Sequence, residues 1–488
     1  MPMTVPKTTI EIEAATKVDR RAFLLGGGCT VAGALANSDF AADVLGARAF
    51  RRPPAKADYT LKIEPTSIEI APGVLVKTTA YNGQVPGPIL RMREGVPITI
   101  DVANASEHPD LVHWHGLAID SLNDGAMEEG SPMIAPGGLL RYAYTPRPAG
   151  TRWYHTHAGA GEDLSLGTYS GQFGFLLVEG EPDPGHYDQE IFLALHQWGP
   201  SFVPMVNTMR EASANHPLTT GSDVGYQYAT INQHMLGAGQ PIRVKQGQRV
   251  LFHLLNASAT ENAVLALPGH SFKIMAMDGN PVPNPASVDV VSLAVAERVD
   301  AIVEMNVPGV WILGSTLPEA RKMGLGIVIE YAGKSGVPVW TDPATAAGKW
   351  DYSQFASTAP APVADETITL TFRDVGPEKG SKFDTWTINN KSWPDVDPIK
   401  VSKGKRYRLI LRNGSGDQHP IHLHRHTFEV TRIGGKTLSG LRKDVINVMP
   451  LDTVAVDFVA DNPGDTLIHC HQQLHMDFGF LQIIKYTG

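Results

Sequence analysis

Histidine carries the chemistry of this sequence. Ten of its 18 histidines fall into four tight clusters: His113-Trp114-His115, His155-Thr156-His157, His419-Pro420-Ile421-His422-Leu423-His424, and His469-Cys470-His471 followed by His475. Residues two apart on a strand share a face, so each His-x-His pair projects two imidazoles to one side. In the fourth cluster His469 and His471 then face one way and Cys470 the other. The sulfur and the two imidazoles can therefore serve different metals joined by a few covalent bonds, a short path for an electron. Two histidines and one cysteine with a weak or absent axial donor make the blue-copper arrangement, and imidazole-rich sites suit copper over magnesium, calcium or manganese. One zinc held by three histidines and a cysteine would leave most of the ten unexplained.

Short β segments are the elements that must hold these clusters. Apolar or alternating runs occur at 98–102, 174–178, 191–195, 249–255, 299–304, 406–411 and 453–458, punctuated by Gly, Pro and Asn. No long amphipathic helix is evident. One local pattern recurs: 91–102, 242–255 and 399–411 each pass through a polar turn with Gly95, Gly247 or Gly404 into a strand that Asn104, Asn256 or Asn413 follows. The spacing of roughly 150 residues is that of one domain. The expected fold is all-β, three consecutive β-sandwiches over 58–180, 181–334 and 367–488. A Pro/Ala/Ser/Thr-rich stretch at 335–366 is expected to be a surface linker.

The amino terminus reads as an address. Arg20-Arg21 precedes an apolar Gly/Ala-rich stretch ending at Ala34-Leu35-Ala36, a twin-arginine (Tat) export signal over 1–36. A polar arm at 37–57 follows. The apolar stretch is short of the roughly 20 residues that span a bilayer. Gly26, three before Cys29, argues against a lipoprotein anchor, so no stable membrane anchor is expected. The expected location is periplasmic or secreted, with the Tat translocase as a transient partner. The net charge of -9 gives no footprint for nucleic acid. Two cysteines, Cys29 and Cys470, exclude a disulfide scaffold and a four-cysteine metal site.

The four motifs, in this order, resemble those of the multicopper oxidases, along nearly all of the chain after the signal. The resemblance implies three cupredoxin-like Greek-key domains and four copper ions. His419, Cys470 and His475 would hold a type 1 copper, and His113 and His422 a type 2 copper. His115, His155, His157, His424, His469 and His471 would hold a type 3 pair. Where the family can carry an axial Met, ten residues after the Cys, this chain has Phe480; Met476, beside His475, is expected to diverge from the copper. The type 1 potential should then be high. Asp124, followed by Gly125, would help deliver protons to dioxygen, which becomes water. The implied activity is laccase-like: Cys470, His469 and His471 pass electrons taken one at a time from phenols or similar aromatic donors. Two alternatives are a metal oxidase acting on Cu(I), Fe(II) or Mn(II) in copper tolerance, and a non-catalytic cell-envelope scaffold or copper-binding protein. Filled ligand positions argue against the scaffold. Arg425 and His196 have no evident role in the sequence.

Overall fold

The computed structural model describes residues 56–181, 185–204, 221–344, 350–377 and 381–487. The twin-arginine segment, Cys29, Met205 and Met209 lie outside them. The fold is all-β, three cupredoxin-like sandwiches in series. The first pairs a sheet ordered Val74–Tyr81, Tyr59–Ala71, Ile98–Asn104, Leu139–Tyr144 with one ordered Leu90–Arg93, Phe173–Glu179, Gly150–Thr156, Val112–His113. The second and third each pair a seven-stranded with a five-stranded sheet.

The recurrent sequence pattern has one physical meaning in all three. The strand before the turn (Leu90–Arg93, Ile242–Val244, Ile399–Val401) runs parallel to a late strand of its sandwich (Phe173–Glu179, Gly326–Tyr331, Leu481–Tyr486). The strand after it (Ile98–Asn104, Arg249–Asn256, Arg406–Asn413) crosses to the opposite sheet. The tight turn needs φ of +75°, +82° and +87° at Gly95, Gly247 and Gly404, a region open to glycine and strained for other residues. Each following asparagine is buried and clamps its loop in the same way. Its Nδ2 donates to His108 and Ile134, to Glu261 and Leu293, or to Asp417 and Val448 carbonyls, and its Oδ1 accepts from the amide of Ser106, Ser258 or Ser415.

The stretch at 335–366 is not purely a surface linker. A single turn, Tyr352–Phe355, buries Phe355 in the core shared by the second and third sandwiches, and the Tyr352 hydroxyl donates to Glu297. Two aromatic side chains outweigh the polar composition around them.

Candidate metal centre

The third sandwich supplies one compact group. Cys470 ends the strand Thr466–Cys470, His419 opens the neighbouring strand His419–Leu423, and His475 lies on the short helix Gln473–Asp477. The Cys470 Sγ is 3.8 Å from Nδ1 of His419 and 3.5 Å from Nδ1 of His475, and all three side chains are buried. Ser415 Oγ sits 2.7 Å from Nε2 of His419, so its Nδ1 is the nitrogen turned to the sulfur. Burial pushes the Cys470 thiol up and holds His475 down to about 3; burial and His475 lower His419. A soft cation would reverse the thiol's preference by coordinating the thiolate. Phe480 is fully buried with its ring 4.9 Å from that of His419, and Trp386 packs 3.9 Å from the His475 ring. Met476 turns away as its position beside His475 implied: it packs with Ala126, Leu467, Leu481 and Ile483 and lines a narrow opening with His155, His157, His469 and His471.

Eight imidazoles from the first and third sandwiches converge on the other side of Cys470. They form three groups, His113–His115–His422, His115–His155–His471 and His157–His424–His469, with ligand nitrogens within 4.8 Å inside each. A neutral imidazole has one N–H. His424 spends it on Asp124 Oδ2 at 2.9 Å and His469 on the Cys470 carbonyl at 2.8 Å, so their Nε2 lone pairs face each other at 3.0 Å. His113 spends it on the Asp124 carbonyl and His422 on the Asp444 carbonyl, leaving their Nε2 atoms 3.4 Å apart. Burial and the neighbouring histidines hold His115, His155, His157, His422, His424, His469 and His471 well below the usual imidazole range. His115 Nδ1, His155 Nε2 and both nitrogens of His157 and His471 are buried without a hydrogen-bond partner. Converging lone pairs on uncharged rings are costly with no cation between them, and imidazole is a donor copper favours. The residues therefore fit copper.

The structure refines the strand argument. The first histidine of each pair (His113, His155, His469) lies on its strand, while His115, His157 and His471 fall just past a strand end. Two of the pairs straddle two groups, since His155 and His471 join one and His157 and His469 the other, while His113 and His115 share the group with His422.

Asp124 reaches the cluster from the first sandwich. It ends the short helix Ser121–Asp124, fully buried, with Oδ2 3.1 Å from Nδ1 of His113 as well as on His424. Three groups had no sequence signal. Glu129 places Oε1 3.4 Å from His424 Nδ1 and accepts the Leu467 amide; burial first, then Asp124, raises it well above the carboxylate range. Asp444 Oδ1 lies 3.1 Å from His115 Nε2, and Arg298 from the middle sandwich holds the Asp444 carboxylate. Arg425 gains an account. At φ +57°, its guanidinium donates to the carbonyls of Ile119 in the first sandwich and Asn462, Pro463 and Asp465 in the third, and to Thr466 Oγ1, clamping the two together beside His424. His196 is structural: it is buried, bonded to the Ala257 carbonyl, and held down to about 4 by burial.

Comparison with known proteins agrees with this geometry. Multicopper oxidase family models match residues 62–183, 207–327 and 365–486. The multicopper oxidase MmcO of Mycobacterium tuberculosis is 31% identical over 454 residues, covering 88% of this chain and 86% of its own. The chain belongs to the multicopper oxidases. Laccase-1 of Botryotinia fuckeliana is 28% identical, covering 88% of this chain and 82% of its own. The crystal structure of a multi-copper oxidase from Pseudomonas thermotolerans superposes with a TM-score of 0.66 at 26% identity, covering 88% of this chain and all of that one. Multicopper oxidases bind four copper ions and couple copper-dependent oxidation of a reductant to reduction of dioxygen, and this chain is an oxidoreductase of that kind.

Proposed function

We propose that this multicopper oxidase is an exported, laccase-type enzyme that takes single electrons from small aromatic donors and reduces dioxygen to water. The observation that carries the reading is the alternation at 469–471: Cys470 turns to His419 and His475, while its two neighbours turn to the eight-imidazole cluster. His419, Cys470 and His475 would hold the type 1 copper, His113 and His422 the type 2 copper, and the two sets His115–His155–His471 and His157–His424–His469 the type 3 pair. Copper there supplies one-electron redox chemistry, which thiolate and imidazole lack. Cys470 and its adjoining peptide give the covalent path from the outer group to His469 and His471. Asp124 orients His113 and His424 through their Nδ1 protons. Glu129 stands beside it, Oε1 3.4 Å from His424 Nδ1, a second carboxyl where oxygen reduction consumes protons.

An apolar cluster next to the outer group favours an aromatic donor. Phe202 meets Phe383 edge-on at 4.8 Å and Phe383 stacks on Phe478 at 4.3 Å, with Leu474, adjacent to His475, in the same cluster. One observation favours a second reading, a cationic donor such as Cu(I), Fe(II) or Mn(II). Asp384, two residues before Trp386 and 2% exposed, has both carboxylate oxygens without a hydrogen-bond partner. Burial and Asp374 push it up to about 6, and burial with Asp223, Asp374 and Asp384 does the same to Asp417.

Export by the Tat route rests on Arg20-Arg21; among the described residues no helix is long and apolar enough to cross a membrane. The test is oxygen uptake by protein whose copper has been counted, with a phenol and with each metal ion at equal loading. The reading requires a blue protein with four coppers that turns over the phenol faster. A colourless protein, or one that consumes no oxygen, overturns it, and faster turnover of a metal ion selects the second reading.

A further inference from the structure

His115 is held differently from its neighbours. His113, His155, His422, His424 and His469 each place Nδ1 on a carbonyl or carboxylate. His115 is turned round: Nε2 points to Asp444 Oδ1 at 3.1 Å, and Nδ1 is the buried nitrogen without a partner. Hydrogen bonding at one ring nitrogen decides which nitrogen can ligate a metal. Asp444 therefore fixes the reverse tautomer at His115, and its own carbonyl fixes the usual one at His422.

The position of Asp444 is set from outside the two sandwiches that carry the clustered histidines. Arg298 of the middle sandwich grips its carboxylate in a two-pronged bond, Nη1 to Oδ1 and Nη2 to Oδ2, both at 2.6 Å. Asp278, also of the middle sandwich, accepts the amides of Asp444 and Val445 and pairs with Lys443 Nζ at 2.9 Å. Arg152 of the first sandwich closes the set, with Nη1 3.4 Å from Asp444 Oδ2. Arg298, Asp278, Asp444 and Arg152 are all 0% exposed. A guanidinium fork matches a carboxylate in a way a lysine ammonium does not. We propose that Arg298 is a positioning residue for the trinuclear centre: through Asp444 it holds His115 with Nδ1 toward copper, so that the middle sandwich, though it carries none of the ten clustered histidines, sets the metal geometry.

The inference rests on the copper assignment above, and the experiment separates the two. Wild type, Arg298→Lys, Arg298→Met and Asp444→Asn are purified with full copper supplementation. Each is measured for copper per chain, the blue type 1 band, the electron paramagnetic resonance signal of the type 2 copper, and the near-ultraviolet band of the coupled pair. Wild type without four coppers or without the blue band sinks the copper assignment itself. With wild type complete, the inference requires the variants to keep the blue band but fall below four coppers per chain, or lose the coupled-pair band, with Arg298→Lys milder than Arg298→Met. Asp444→Asn, nearly isosteric, is the arm that remains if Arg298→Met fails to fold. Four coppers and unchanged trinuclear spectra in Arg298→Met or Asp444→Asn overturn it. Loss of the blue band together with all copper in Arg298→Lys also overturns it, since that marks a general structural role.

Discussion

The ring of Phe480 stands against both histidines of the outer group, 4.9 Å from His419 and 6.5 Å from His475. If His419, Cys470 and His475 hold a type 1 copper, a site without a thioether donor would leave the oxidised ion less stabilised and raise its potential. Phe480→Met should lower the type 1 potential measured by redox titration; an unchanged or higher value refutes the argument. Asp124→Asn should leave reduction of the blue centre by donor intact and cut oxygen turnover by roughly 10²-fold, the usual worth of a placed proton-transfer group. Normal turnover across pH would remove Asp124 from proton delivery. At this scale the histidine and cysteine clusters were legible because their spacing is local. Glu129, Asp444 and Arg298 were not: Glu129 meets the Leu467 amide 338 residues away and Asp444 meets His115 329 away, and no run of sequence marks such a meeting.

Among elements, the turn after the helix Ser121–Asp124 shows how backbone places a side chain. Gly125 has φ +89°, and a Cβ there would lie 1.8 Å from the Val112 carbonyl oxygen, on the strand that carries His113. Gly125→Ala should cost about 1–3 kcal/mol from the dihedral alone, with more from that clash. Thermal unfolding and copper content should both fall; a variant with full copper and unchanged stability would show that Asp124 and His113 do not depend on this close approach. Strands themselves were readable from short apolar or alternating runs: those at 174–178, 249–255 and 453–458 all lie within observed strands. Strand ends were not. His115, His157 and His471 sit where packing between sandwiches, rather than local pattern, decides the backbone, and alternation has no information about the neighbouring sandwich.

Over the whole molecule the sandwiches are joined by buried charge as well as apolar surface. His253 in the second sandwich has Nδ1 2.7 Å from Asp300 and 2.8 Å from Thr151 of the first, and Nε2 3.1 Å from Glu190. Asp300 and Glu190 raise it to about 9 against the opposing effect of burial. A folded value above the unfolded one means that the stabilisation is complete below pH of about 6.5 and disappears as pH rises through about 9. The contribution is on the order of 3 kcal/mol at neutral to acid pH. Wild type should lose thermal stability over that window, and His253→Phe, which can keep the stack on Phe192, should flatten the loss. An identical pH slope in the variant would assign the effect elsewhere. The series of three sandwiches was legible from the repeated Gly turn and Asn clamp, each a local device, whereas the docking of Phe355 was hidden by the composition around it.

His113 and His422 oppose their Nε2 lone pairs across 309 residues of sequence. A growing polypeptide therefore displays the earlier half of this pocket long before the later half has been synthesised. A complete set of eight imidazoles therefore exists only once the first and third sandwiches have docked.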